Sequence, residues 1–220
     1  MQRSKEGVSY EHMYSSLLSY SFPRRLIVNA SERSNTTKRI IQSSYLDEYV
    51  YPMVPDVTVL QLGIVDCFPR VLTNFERRVV HLASGISLTE NLADYYINYL
   101  SRRRLEITKN RYIPYVSIKD FEANLKLIKS TIMTINCEHK FIIINIPCPG
   151  SNLTKRNFDV DGIVRKYNAV LDKVFLSDAG FINLYDETKY NSNLLLEDGY
   201  HINSMGHKYI FNALKNILQI

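Results

Sequence analysis

The segment "EDGYHINSMGHKYIFNAL", residues 197–214, contains residue types that can carry out acid–base chemistry. Asp198 and His201 stand three residues apart, in a predicted turn ahead of a helix-like pattern. At this spacing the carboxylate can hold one imidazole nitrogen, which fixes the ring tautomer and leaves the other nitrogen free to act as a general base. The alternative is structural: Asp198 caps the turn and His201 packs against its neighbours.

A second group of candidate residues follows an apolar run, in the stretch "LGIVDCFPR". It supplies Gly63, Asp66, Cys67 and Arg70. Ligand chemistry in open parallel sheets collects at the carboxyl ends of the strands. We therefore expect the turn at Gly63 to share a pocket with the histidine.

Four short apolar runs predict buried parallel strands, because strands that are covered on both faces lose the polar–apolar alternation. They lie at 24–31, 56–66, 140–149 and 180–187. Helix-like segments lie at 11–20, 36–49, 92–105, 118–135 and 160–176. The last helix is predicted to start near Ser204 with Asn203 as its N-cap, and its apolar face contains Met205, Ile210, Ala213, Leu214 and Ile217.

This alternation of strands and helices predicts an α/β domain with three layers. The sequence contains no repeat, low-complexity tract or Gly/Ser linker, so we expect one domain over residues 1–220. Residues from about 68 to 117 form a long helical insertion between two strands, which could cap one edge of a cleft.

Composition and charge argue against several classes of protein. The net charge of +5 is modest, and no apolar stretch approaches the roughly 18 residues of a membrane span. No signal peptide is visible, and the three cysteines are widely spaced without CxxC or Cys/His pairing. We therefore expect no disulfide framework and no structural zinc site, and a reducing, cytoplasmic compartment. The run "RRR" at 102–104 could contact phosphates, but it also fits a solvated helix face, and nothing else favours nucleic-acid binding.

The passage "DGYHINSMGHKYIFNAL" resembles the final motif block of the SGNH (GDSL-type) esterase family. In that family an Asp-x-x-His turn before the last helix supplies two members of a Ser-His-Asp triad. Asn203 and the pair Gly206-His207 also match, whereas Ile202 replaces the usual proline. The resemblance implies a flavodoxin-like α/β/α fold, with His201 as the base and Asp198 orienting it.

The stretch "PDVTVLQLGIVD" resembles the family's third block, a strand that ends in Gly-x-Asn-Asp. Gly63 and Asp66 match, but Val65 replaces the asparagine that donates a hydrogen bond to the oxyanion. Loss of one such donor typically costs about 100- to 1000-fold in turnover. The form "GIVDCFPR" resembles a subgroup that occurs near polysaccharide-biosynthesis genes, which implies that Arg70 binds an anionic or sugar substrate. A salt bridge at a helix start is an equal alternative for Arg70.

Two other blocks of the family are weak or absent. "LIVNASERSNTT" resembles the second block but lacks its glycine, although Ser31 and Ser34 lie in the same neighbourhood. The first block, a strand ending in Gly-Asp-Ser that carries the nucleophile, does not appear. Either a natural N-terminal piece precedes Met1, or this is a short form that has lost hydrolysis. Ser4 and Cys67 are weaker candidates for the nucleophile.

The resemblance implies an ester hydrolase that removes an O-acyl group from a carbohydrate, or transfers it to a sugar hydroxyl with the same residues. Gly63 would help hold the oxyanion and Asp66 would brace its turn. This chemistry implies no metal and no cofactor, because the triad and the oxyanion donors are sufficient for it. The alternative is a non-catalytic saccharide-binding or assembly protein, favoured by Val65 and the absent serine block. The acyl group, the acceptor and the oligomeric state do not follow from the sequence.

Overall fold

The computed structural model of the chain describes residues 7–85, 90–177 and 179–219, which form an α/β fold with a small parallel sheet. The sheet consists of β1 (Val57–Leu60), β2 (Lys140–Ile144) and β3 (Ala179–Ile182), in that order. Val57 lies beside Lys140, and Phe141 lies beside Ala179. The predicted fold class and parallel sheet are confirmed.

Helices connect and cover the strands on both faces. Short 3-10 turns at Tyr10–His12 and Ser192–Leu194 add to them. The helices are α1 (Tyr14–Ser21), α2 (Thr37–Ile40), α3 (Ser43–Tyr49), α4 (Ile64–Cys67), α5 (Asn74–Ser84), α6 (Glu90–Arg102), α7 (Arg104–Asn110), α8 (Ile118–Ile135), α9 (Ser151–Thr154), α10 (Val160–Phe175), α11 (Leu184–Tyr190) and α12 (Ser204–Leu218).

The central strand β2 divides the core into two halves, because successive side chains of a strand point to opposite faces. Phe141 and Ile143 pack in a cluster with α8 and α10. Ile142 and Ile144 pack on the opposite face with α1 and α12. The result is the three-layer arrangement expected from the sequence.

Helix boundaries follow local capping chemistry. The Ser117 hydroxyl accepts a hydrogen bond from the Asp120 amide at the start of α8, whose bounds are those predicted. The predicted helix at 36–49 is wrong as a single element, since it breaks between α2 and α3. On α12, Ile210 and Leu214 are fully buried as predicted, but Met205 is 58% exposed and lies off the packed face.

The prediction of a strand at 24–31 is also wrong. Residues 26–30 form no ladder with another strand, and Leu26 is 85% exposed. A strand needs a neighbour to satisfy its amides and carbonyls, and within the described residues none lies beside this segment. The other strands are shorter than predicted, because after each strand the chain leaves the sheet within a few residues and enters a loop or a short helix such as α4 or α11.

A large cavity separates this segment from the sheet. Its volume is about 850 Å³, and residues 24–35 lie on one side of it while consecutive residues 55–65 lie on another. Strand β1 pairs only with β2 in the described sheet, so its other edge faces this cavity. The cavity also reaches His201 and the start of α1 at Tyr14.

Candidate active site

The structure brings Asp198 and His201 into direct contact. Oδ2 of Asp198 lies 2.7 Å from Nδ1 of the His201 ring. The other carboxylate oxygen, Oδ1, accepts hydrogen bonds of 3.0 Å from the backbone amides of Tyr200 and His201. The carboxylate is therefore fixed by its own turn while it orients the imidazole, and Nε2 of His201 is left for other chemistry.

These hydrogen bonds also set the charge of Asp198. Partial burial acts to raise the pKa of this carboxyl, but the amides of His201 and Tyr200 and the His201 ring outweigh it and lower the pKa below its usual range. Asp198 is therefore ionised at neutral pH. An ionised carboxylate on Nδ1 favours the proton at that nitrogen, which makes Nε2 the basic atom.

Strand-like pairing and a helix cap hold the turn in place. The backbone amide of Leu196 donates to the carbonyl of His201 at 2.7 Å, and Leu195 and Ile202 form an isolated antiparallel bridge. Oδ1 of Asn203 accepts from the amides of Met205 and Gly206 at the start of α12. The predicted N-cap is confirmed, and the helix is anchored directly behind the histidine.

The turn at Gly63 lines the same cavity as His201. Its backbone has φ +107°, a left-handed conformation that favours glycine. A Cβ at this position would lie 2.7 Å from Cδ1 of Ile146, so a side chain is excluded by packing as well. The backbone can therefore approach a ligand closely here. Val65 also lines the cavity and offers it no hydrogen-bond donor.

Asp66 lies outside the cavity lining and is fully buried. Its Oδ1 accepts hydrogen bonds from the amide of Thr37 at 2.9 Å and from the Thr37 hydroxyl at 2.6 Å. Burial raises the pKa of Asp66, although these bonds act in the opposite direction. The carboxyl thus joins α4 to the start of α2, a contact between residues 29 positions apart in the chain.

Arg70 lies away from the cavity as well. Its backbone amide donates to the carbonyl of Ile113 at 2.9 Å, and its guanidinium lies 3.9 Å from the centre of the Tyr115 ring. The side chain is largely buried in this stacked arrangement. A role for Arg70 in binding substrate stays a prediction.

The candidate nucleophiles differ in how they are placed. Ser4 lies outside the described residues. Cys67 is buried, and burial raises the pKa of its thiol to about 12, so it is protonated and a poor nucleophile at neutral pH. Ser31 lines the cavity, but its amide and hydroxyl both donate to Oδ1 of Asn29, at 3.1 and 2.6 Å.

Two cavity residues were given no role by the sequence analysis. Asn145, at the end of β2, accepts from the amide of Tyr185 and donates to Asn183. His207 is buried on α12, where its Nδ1 accepts a 3.3 Å hydrogen bond from the amide of Tyr14. Only its match to a Gly-His pair marked His207 in the sequence, because the contact with α1 is formed across 193 positions.

The described part of the chain lacks two other kinds of site. Its His, Cys, Asp and Glu side chains form no group of three that could hold a metal ion. None of its helices combines the length and apolar character needed to cross a bilayer.

Comparison with known proteins gives similarity at the level of structure. No protein-family model and no curated protein matches the sequence. The acetyl xylan esterase AlAXEase is 14% identical with a TM-score of 0.61, over 97% of this chain and 94% of the other. Axe2, an acetylxylan esterase from Geobacillus stearothermophilus, is 13% identical with a TM-score of 0.59, over 93% and 80%. A lipase/acylhydrolase from Enterococcus faecalis is 16% identical with a TM-score of 0.52, over 84% and 71%. The chain therefore has the fold of the SGNH hydrolases.

Proposed function

We propose that the protein is an ester hydrolase in which His201 is the general base and Asp198 is the residue that orients it. One observation carries the proposal: a carboxylate-bound histidine and a left-handed glycine turn line the same cavity. The SGNH fold, which esterases and lipases of known structure share, supports the same reaction class. Because that similarity concerns the fold, the assignment of roles rests on the geometry of the residues.

In the proposed reaction a serine hydroxyl attacks the ester carbonyl while Nε2 of His201 takes the hydroxyl proton. The negative oxygen of the tetrahedral intermediate is held by backbone amides around Gly63. Nε2 then returns the proton to the leaving alkoxide, and the acyl group remains on the serine. A water molecule, deprotonated by the same nitrogen, hydrolyses this acyl-enzyme; a sugar hydroxyl in its place would give acyl transfer.

We infer that this serine is carried by an extended apolar segment that occupies the 850 Å³ cavity. The cavity has an unpaired edge of β1 on one side and residues 26–30, which form no ladder, on another, and both have backbone groups that need partners. A strand in this position would pair with both and would cover exposed apolar side chains such as Leu26. It would also run between the Gly63 turn and His201, which line the cavity.

The proposed substrate is an O-acyl group, such as acetate, on a carbohydrate. Two of the similar structures are acetyl xylan esterases by name, which supports an acetyl group on a saccharide. This substrate class is the finer part of the proposal, and it is tested separately from the reaction class by comparing acetylated oligosaccharides with simple aryl esters.

The experiment measures hydrolysis of p-nitrophenyl acetate by two proteins. One is the 220-residue chain, and the other is the same chain with an apolar strand ending in Gly-Asp-Ser joined ahead of Met1. We expect the extended protein to be active, and His201→Ala to reduce its turnover by at least about 1000-fold, as for other triad histidines. Changing the added serine to alanine is the matched control and should remove the same activity.

Labelling with a fluorophosphonate and peptide mass spectrometry locates the nucleophile. Label on the added serine supports the strand proposal, whereas label on Ser15 or Ser31 in the 220-residue chain would place the nucleophile there and reject it. If neither protein exceeds the His201→Ala background, the hydrolase proposal is wrong.

A second candidate function is binding of a saccharide without catalysis. Val65 favours it, since this cavity residue cannot donate a hydrogen bond to an oxyanion. In addition, no hydroxyl among the described residues is hydrogen-bonded to Nε2 of His201. Saccharide binding by the inactive 220-residue chain, with the same affinity in His201→Ala, would support this alternative.

A further inference from the structure

A group of aromatic rings and a guanidinium group extends from His201 through Tyr200 and Phe68 to Arg104. The Tyr200 ring lies 4.1 Å from the His201 ring and 5.8 Å from the Phe68 ring, measured between centroids. The guanidinium carbon of Arg104 lies 5.2 Å from the centre of the Phe68 ring. Tyr200, Phe68 and Arg104 thus form one continuous group of contacts, and Arg156 carries a second positive charge near Arg104.

The Arg104 side chain is held by neutral partners. Its Nε donates a 2.7 Å hydrogen bond to Oδ1 of Asn157, and one terminal nitrogen donates to the carbonyl of Pro69. Asn157 is only 2% exposed and is itself fixed by a bond from Nδ2 to the Leu153 carbonyl. A guanidinium has five N–H donors in a planar fork, so a preorganised Arg104 keeps donors for another acceptor.

No carboxylate in the described part of the chain balances the charge of Arg104. Among the described residues no Asp or Glu forms a salt bridge with Arg104 or Arg156, although other arginines such as Arg103 and Arg111 are paired. Burial and the nearby positive charge of Arg156 lower the pKa of Arg104. A half-buried cation near a like charge is unfavourable alone, and an anion bound to Arg104 would relieve it.

We propose that Arg104 forms a subsite for an anionic group, a carboxylate or a phosphate, on the carbohydrate that carries the ester. The proposal rests on the proposed function for its link to His201. Arg104 would contact the anion with its free N–H donors, which suit the paired oxygens of either group. The half-buried rings of Phe68 and Tyr200, between Arg104 and His201, would contact the intervening sugar. Substrates with an acidic sugar near the acylated one would therefore be preferred over neutral ones.

Binding is measured by calorimetry with the full chain, and catalysis does not enter because none of the probes carries a carboxylic ester. The probes are trigalacturonic acid with carboxylates, glucose 6-phosphate with a phosphate, and xylotriose, which has no charge. We expect one of the two anionic probes to bind at least about tenfold more tightly than xylotriose, with an affinity that falls as salt rises. The tighter anionic probe identifies the anion as carboxylate or phosphate.

Arg104→Gln should weaken binding of that probe at least about tenfold, in line with loss of a charge-assisted hydrogen bond. Arg102→Gln is the matched control, because it removes the same charge from an exposed position two residues away and should change affinity less than twofold. Equal binding of all three probes, or equal loss in both variants, would overturn the subsite. Anion binding that persists when ester hydrolysis has failed would refute the hydrolase proposal alone.

Discussion

The backbones of Gly150 and Gly199 are in direct contact, with the amide of Gly150 donating a 2.7 Å hydrogen bond to the carbonyl of Gly199. A Cβ added at Gly150 would lie 2.8 Å from Cα of Gly199, so neither position has room for a side chain without movement. Gly199 lies between Asp198 and His201 and has φ +80°. The loop after β2 therefore helps to hold the turn that pairs the carboxylate with the imidazole.

We expect Gly199→Ala to lower the free energy of unfolding by about 1–3 kcal/mol, because a side chain at positive φ adds strain to the close contact. Urea denaturation measures this change. Gly85→Ala is the control: Gly85 has φ −83°, and an added Cβ would come no nearer than 3.5 Å to other atoms. The control should change stability by less than about 1 kcal/mol. Equal losses in both variants would contradict the importance of the contact.

Asn203 performs two tasks that substitution can separate. Its oxygen caps α12, while Nδ2 donates to the carbonyls of Asn193 and Leu195 in the preceding loop. Asn203→Ala loses both and should cost about 1–3 kcal/mol of stability. Asn203→Asp keeps the capping oxygen and should fall between the wild type and the alanine variant in thermal unfolding. An aspartate variant as unstable as the alanine variant would mean that the cap contributes little.

The local signals in the sequence predicted local features well. The cap at Asn203, the bounds of α8 and the Asp198–His201 contact all join residues a few positions apart, so residue type and spacing carry the information. The contact of Gly150 with Gly199 and that of Asp66 with Thr37 join distant parts of the chain. No pattern within a short window predicts which distant backbone will come close.

The wrong prediction of a strand at 24–31 also comes from a contact with a distant part of the chain that the local sequence does not specify. The run "RRLIVNAS" has the apolar and β-branched residues of a buried strand, but residues 26–30 form no regular secondary structure. Whether such a segment becomes a strand depends on a neighbour that supplies hydrogen bonds, and β1 is separated from it by the cavity. Local preference was therefore insufficient to specify a strand without a partner.

Asp66 predicts a pH dependence of stability. Its pKa is raised by burial in the folded state, so the folded protein binds more protons than the unfolded chain above the unfolded pKa of about 4. The contribution of Asp66 to the free energy of unfolding is therefore largest below the unfolded pKa of about 4. It is lost as pH rises from there toward the pKa of the folded state. Asp66→Asn cannot titrate, so its stability relative to the wild type should improve between pH 4 and pH 7.

Chemical denaturation at pH 4, 5, 6 and 7 measures this relative stability. Asp94→Asn is the control, since Asp94 is exposed on α6 and the substitution removes the same charge. The difference in the free energy of unfolding between Asp94→Asn and the wild type should stay nearly constant from pH 4 to pH 7. A difference between Asp66→Asn and the wild type that is flat, or that worsens with rising pH, would mean that Asp66 is not held in a buried, proton-retaining environment.

His207 predicts a loss of stability on the acid side. Nδ1 accepts a hydrogen bond from the Tyr14 amide and therefore needs a neutral ring, and burial lowers the pKa of His207 to about 4. The unfolded chain, with a histidine pKa of about 6.5, binds the extra proton first, so stability falls as pH drops from 6.5 toward 4. Between pH 7 and pH 4.5 we expect this one residue to account for about 2–3 kcal/mol.

His207→Gln should therefore lose less stability than the wild type over that pH interval, although it is less stable at pH 7 if the Tyr14 contact is weakened. His81→Gln, at an exposed position on α5, is the control and should follow the wild type. Because His207 and Tyr14 line the cavity and join α12 to α1, protonation of this ring would separate the helix behind His201 from the cavity wall. Wild type and His207→Gln with the same acid sensitivity would place the titrating group elsewhere.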